Sequence, residues 1–146
     1  MGAVPPVPGH CPTRKIAPFP GVPEVCAWVT AHGGLNLVAT HRARPLTEAL
    51  LRYHGLAPLF SDVVTIFDGF PRKPDPAMLL ALLDRHRLPP DDTLAVGDRE
   101  IDLQAGEAAG LTTCLFRGDE TLTPGIRIQH YSQLLDLLSL MYTLMS

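Results

Sequence analysis

The chain has 146 residues, a net charge of −3 and 46% apolar residues, enough for one domain and no more. Its 18% charged fraction lies below the roughly 25% of ordinary soluble domains and predicts a packed core rather than disorder. No basic excess points to nucleic acid, no run of about 18 apolar residues is long enough for a membrane span, and Cys11, Cys26 and Cys114 form no Cys-x-x-Cys pair, which fits a reducing cytoplasm better than a disulfide framework or a zinc site.

Seven prolines fall within residues 1–23. Proline at that density removes backbone donors, so an extended, disordered arm is expected over residues 1–18. The arm has no continuous apolar stretch and its charges, Arg14 and Lys15, come late, so it does not read as a signal peptide. Residues 19–146 read as one α/β unit in which helices and strands alternate. A helix is expected over Glu24–His32, ended by Gly33-Gly34, and a strand over Leu35–Thr40. A helix over Pro45–His54 begins with a proline in its first turn and ends before Gly55. A second strand is expected over Val63–Phe67. Asp75 as N-cap and Pro76 at the first helical position open the clearest helix, with Leu79, Leu80, Leu82 and Leu83 as its apolar face and Pro89-Pro90 as its stop. A strand over Thr93–Val96, a helix over Arg99–Ala109, a strand over Leu111–Phe116 and a helix over Tyr131–Leu144 complete the chain. The last helix is apolar almost all round, so it should pack on the sheet, with a partner surface as the second possibility.

Such alternation implies a doubly wound parallel sheet with right-handed crossovers. Ligands then bind beyond the carboxyl ends of the strands, and three of those ends are distinctive. Val38-Ala39-Thr40-His41 ends an apolar strand in a hydroxyl; with the backbone amides that follow it can hold an anion, though threonine is also an ordinary strand residue. Lys73, one of two lysines in a chain with ten arginines, stands between Pro71 and Pro74, where a fixed backbone can aim a compact ammonium; the alternative is a solvated loop lysine. Val96-Gly97-Asp98 ends a third apolar strand, and Asp102 follows one helical turn on. Two carboxylates so placed suit a hard cation such as Mg²⁺, or they cap a helix and offset its dipole. The six histidines show no metal-ligand spacing; His41, beside Thr40, is a candidate substrate contact. Cys114 reads as a packing residue.

A hydroxyl, an ammonium and a carboxylate pair at successive strand ends resemble the haloacid dehalogenase-like (HAD) hydrolase superfamily. The strand LVAT is similar to its second motif, Lys73 in RKPDP to its third, and GDREID with Asp98 and Asp102 to its fourth. The wording is most similar to the phosphoglycolate-phosphatase-like branch, over residues 19–138. The resemblance implies a Rossmann-like core, Mg²⁺ as cofactor and a small phosphorylated metabolite as substrate. It implies that Thr40 contacts the phosphoryl group, that Lys73 neutralises it and orients the nucleophile, that Asp98 holds the metal and that Asp102 holds it or orients its waters. Thr40 and Lys73 are then the catalytic candidates.

The family's first motif, an Asp-x-Asp pair supplying nucleophile and general acid, has no counterpart. Residues 1–61 contain no aspartate. The expectation is therefore an N-terminally truncated HAD phosphatase with an incomplete core, lacking the first central strand and the helical cap and inactive alone. The strands of Thr40 and Asp98 should then pair directly or leave open edges prone to self-association. The alternative is a non-catalytic phosphate- and Mg²⁺-binding module. A phosphoacceptor receiver domain is excluded, because its acceptor aspartate precedes the threonine and lysine in the chain, whereas Asp98 comes last.

Overall fold

A computed structural model describes residues 20–145, with side chains to Leu140, so the arm expected over residues 1–18 lies outside the described residues. The elements in chain order are α1 (Val22–Ala31), β1 (Asn36–Thr40), α2 (Arg44–Tyr53), β2 (Phe60–Thr65), α3 (Ala77–His86), β3 (Leu94–Gly97), α4 (Glu100–Ala108), β4 (Thr112–Phe116), β5 (Ile126–Ile128) and α5 (Tyr131–Met145). Every strand pair is parallel: β1 with β2, placing Thr40 opposite Thr65, β3 with β4, and β4 with β5.

The fold is α/β with a Rossmann-like core, as the alternation implies. Among the described residues it is not one continuous sheet. β1 and β2 form a two-stranded sheet, and β3, β4 and β5 a three-stranded one with β4 in the centre. Of the two outcomes expected for the strands of Thr40 and Asp98, open edges are what is seen among the described residues. The unpaired edges of β1 and β3 line the same two clefts, of about 120 and 530 Å³, with Leu37, Leu94 and Val96 contributing to both.

Helices cover these sheets because their apolar residues recur at helical spacing. Val25 of α1 and Leu134 of α5 pack with Cys114, Phe116 and Ile128. Met78 and Leu82 of α3 pack on Val64 of β2, and Leu83 of the same helix reaches Ala109 and Leu111, next to β3. Thus α3 spans both sheets. Asp62 of β2 fixes α3 further, accepting from Arg85 at 3.4 Å and lying 2.9 Å from His86 Nε2. On α4, Gly106 lets the helix lie close: a Cβ there would meet Thr113 Cγ2 at 2.8 Å and Ala95 Cβ at 2.9 Å.

Three expectations need correction, and one strand was not expected. The second strand is Phe60–Thr65, not Val63–Phe67. The Thr65 hydroxyl accepts the Phe67 N–H at 3.2 Å and pulls Ile66–Asp68 into a 3₁₀ turn, which leaves Phe67 exposed. In α3 the buried residues are Met78, Leu82 and Leu83, while Leu80 is 45% exposed; two residues from Met78 is about 200° round a helix. The N-cap of this helix is Pro76 rather than Asp75, and its first helical residue is Ala77; Asp75 lies one residue earlier, its Oδ1 accepting the Ala77 N–H at 2.9 Å. The three-residue strand β5, just after Pro124-Gly125, is too short to show period-two alternation.

Candidate functional site

The carboxyl ends of β1 and β3 bring the sequence-derived candidates to one edge. Thr40 closes β1, and its Oγ1 accepts the Arg42 N–H at 3.1 Å, which leaves the hydroxyl proton to donate elsewhere. The neighbouring end of β2 is tied down by a group the sequence reading passed over. Asp68 Oδ2 accepts the Thr65 N–H at 2.8 Å and the Arg44 guanidinium at 2.7 Å, and Arg44 also donates to the Val63 carbonyl at 2.7 Å. The Thr65 N–H bond, reinforced by Arg44 against the opposing effect of burial, holds the Asp68 carboxyl below its ordinary range. The spacing Thr65-x-x-Asp68 is a capping pattern and was the available signal.

Lys73 reaches in from the loop before α3. Its side chain is 9% exposed, and its Nζ donates to the Ala39 carbonyl at 3.2 Å and to Asp102 Oδ1 at 2.5 Å. A solvated loop lysine it is not. His41 meets the same residue from the other side, its Nε2 accepting the Lys73 backbone N–H at 3.1 Å.

Asp102 lies in the first turn of α4 with its side chain folded back on β3. Gly97 makes this possible, because a Cβ at that position would overlap Asp102 Cβ. The carboxylate serves two partners: Oδ1 takes Lys73, and Oδ2 accepts the Arg99 N–H at 3.3 Å. The capping alternative therefore describes part of what Asp102 does. It does not describe Asp98, since the N-cap is Arg99. Asp98 is exposed, with no hydrogen bond or ion pair to the described residues.

Among the described residues no group of three or more His, Cys, Asp or Glu gathers as a metal cage. An oxygen-only pair at a strand end, one member without a protein partner, still fits Mg²⁺, which is commonly held by one or two carboxylates while waters and substrate phosphate complete its shell. Cys114 is 2% exposed, and burial pushes its thiol up to about 11, as a packing residue requires and a nucleophile does not.

The geometry is matched by kinship. The family described as haloacid dehalogenase-like hydrolase matches residues 12–110. The chain belongs to this family. Among curated proteins it is 34% identical over 93 residues to the phosphoglycolate phosphatase of Vibrio cholerae, covering 63% of this chain and 41% of that protein. It is 32% identical over 130 residues to that of Photobacterium profundum, covering 84% and 56%. The chain thus spans about half the length of the curated relatives it matches. Among solved structures, a HAD-superfamily hydrolase from Geobacter sulfurreducens superposes with a TM-score of 0.76 at 27% identity, covering 86% of this chain and 63% of the other. The NMR structure of a core domain from Streptococcus pneumoniae gives 0.71 at 29%, covering 82% and 86%. Membership in the HAD hydrolases, on the phosphoglycolate-phosphatase-like branch, is what the sequence motifs implied.

Proposed function

We propose that this HAD chain carries the phosphate- and Mg²⁺-binding part of a cytoplasmic phosphatase for small phosphate monoesters, phosphoglycolate-like in class. One observation carries the reading: the nearly buried Lys73 ammonium sits between Ala39 O and Asp102 at the edge that also holds Thr40 and Asp98. Phosphoryl transfer depends on positioning and on charge stabilisation of the equatorial oxygens. Thr40 Oγ1–H donates to one of them. Lys73 neutralises the group and is already desolvated, so its charge acts at full strength. Asp98 and Asp102 would hold Mg²⁺, which when bound supplies further neutralisation of the phosphoryl charge.

Attack on phosphorus needs one more carboxylate. The family resemblance assigns it to an Asp-x-Asp pair, the sequence contains no such pair, and its first aspartate is Asp62, engaged with His86. We therefore expect the chain by itself to bind phosphate without turning over ester. In a binding assay with Mg²⁺, inorganic phosphate should associate and Lys73→Met should weaken it about tenfold or more, as loss of a charge-assisted contact does. With p-nitrophenyl phosphate, turnover should stay at background. Mg²⁺-dependent turnover that disappears in Asp98→Asn would overturn the inactivity, and phosphate binding indifferent to Lys73→Met would overturn the site. The second reading, a non-catalytic phosphate- and Mg²⁺-binding module, draws on the same missing carboxylate. It gives way if an added strand bearing Asp-x-Asp restores turnover.

A further inference from the structure

The two residues that flank Thr40 both grip Lys73. Ala39 offers its carbonyl to the ammonium at 3.2 Å, and His41 offers Nε2 to the backbone N–H of the same lysine at 3.1 Å. We propose that His41 is a positioning residue for Lys73, working as a neutral imidazole that holds the lysine backbone in register with Thr40 and releases it when protonated. Its consequence for phosphate binding rests on the function proposed above; the coupling of His41 to Lys73 does not.

The chemistry of the ring dictates this. A backbone N–H can only donate, so Nε2 must carry a lone pair and the proton must sit on Nδ1. Nδ1–H has no partner among the described residues and is the ring's free donor for an incoming anion. Protonation at Nε2 would set donor against donor and break the bond to Lys73. It would also add a charge where cations already converge: Lys73 and Arg72 from the loop before α3, and Arg99 from the start of α4, with Asp102 the one opposing charge. Burial first, then Lys73, Arg72 and Arg99, lower the pKa of His41 below its ordinary 6.5. The sign follows. The unfolded chain takes up this proton near pH 6.5, the folded chain only at lower pH. The native arrangement is therefore complete above about pH 6.5 and is lost as pH falls through the folded value.

The test is a titration of the chain as it exists. Nitrogen-15 NMR of the His41 ring should show the Nδ1–H form at neutral pH, and the Lys73 amide resonance should shift with the same midpoint as the ring. Sulfate serves as the anion probe because it keeps both charges throughout the range. Its affinity should fall severalfold as pH is lowered from about 7.5 through that midpoint, with the loss setting in below the ordinary histidine range. His41→Gln places an acceptor oxygen near the Nε2 position and cannot titrate; it should keep the Lys73 amide signature and flatten the profile to within about twofold. An Nε2–H ring, a Lys73 amide that ignores the His41 titration, or a His41→Gln profile as steep as the parent's would each overturn the proposal. Ring and amide titrating together with no sulfate bound at any pH would leave the His41–Lys73 coupling standing and overturn the phosphate site instead.

Discussion

The two sheets differ in how their strands are buried. In β4, Cys114, Leu115 and Phe116 are each no more than 2% exposed, whereas no residue of β1 is fully buried. Apolar content does not explain this, since Leu37-Val38-Ala39 is as apolar a triplet as Cys114-Leu115-Phe116. Pairing does. β4 has a neighbour on each edge, while β1 has β2 on one edge and a cleft on the other. A hydrophobic strand is thus buried only as far as its neighbours close over it.

Truncation mutants sharpen the contrast. Phe116→Ala should cost about 3–5 kcal/mol, because it removes a fully enclosed ring and leaves a cavity. Leu37→Ala, at a half-buried position beside the clefts, should cost only ~1 kcal/mol, since little apolar area returns to water. Urea unfolding curves compare the two directly. Equal losses would show β1 to be packed as tightly as β4 and would end the comparison.

The halves are joined through a polar contact as well as through α3. Lys73 precedes α3 on the β2 side, and Asp102 belongs to α4 on the β3 side. With side chains 9% and 14% exposed, neither group is well solvated if left alone. Lys73→Met should cost about 3 kcal/mol, at the low end for breaking a buried pair because some solvent reaches both groups. Asp102→Asn together with Lys73→Met should cost clearly less than the sum, with a coupling of about 1 kcal/mol or more in the double-mutant cycle. Additive losses would mean that the two sheets are not braced at this point.

Much of this was legible in the chain, and the reasons differ by region. The strands ending at Thr40 and Gly97 announced themselves as apolar runs stopped by a hydroxyl or a glycine, and their carboxyl ends had to share an edge once the sheet was parallel. The start of α3 was readable to within two residues because Asp75-Pro76 precedes a helical repeat, although the cap itself falls on Pro76. Less visible were contacts between residues far apart in sequence. Nothing local told that Lys73 would sit on Asp102, 29 residues on, or that His41 would turn its Nε2 to a backbone amide 32 residues away. The end of β2 was misplaced because Ile66-Phe67 continues the apolar run, while the hydroxyl of Thr65 and the carboxylate of Asp68 capture the backbone and turn it.

The smallest expected change in stability is also the one aimed most directly at the difference between the sheets. Val96 lies in β3 at 41% exposure and lines both clefts between the unpaired edges. Its side chain has few neighbours to lose, so Val96→Lys should change unfolding free energy by no more than about 0.5 kcal/mol, as at other exposed positions. Its effect on association should be larger. Unpaired strand edges recruit further strands, and a lysine on such an edge opposes this by holding a solvated charge where another chain would have to pack. We therefore expect the parent chain to self-associate with rising concentration in sedimentation and to bind ANS, and Val96→Lys to reduce both. Hydrogen exchange adds a check at residue level: amides of β1 and β3 that face the clefts should exchange rapidly in the monomer, while those of β4 stay protected. A parent chain that sediments as one monomer at every concentration, with β1 and β3 amides as protected as those of β4, would show the edges to be closed. The burial difference between the two sheets would then need a cause other than pairing.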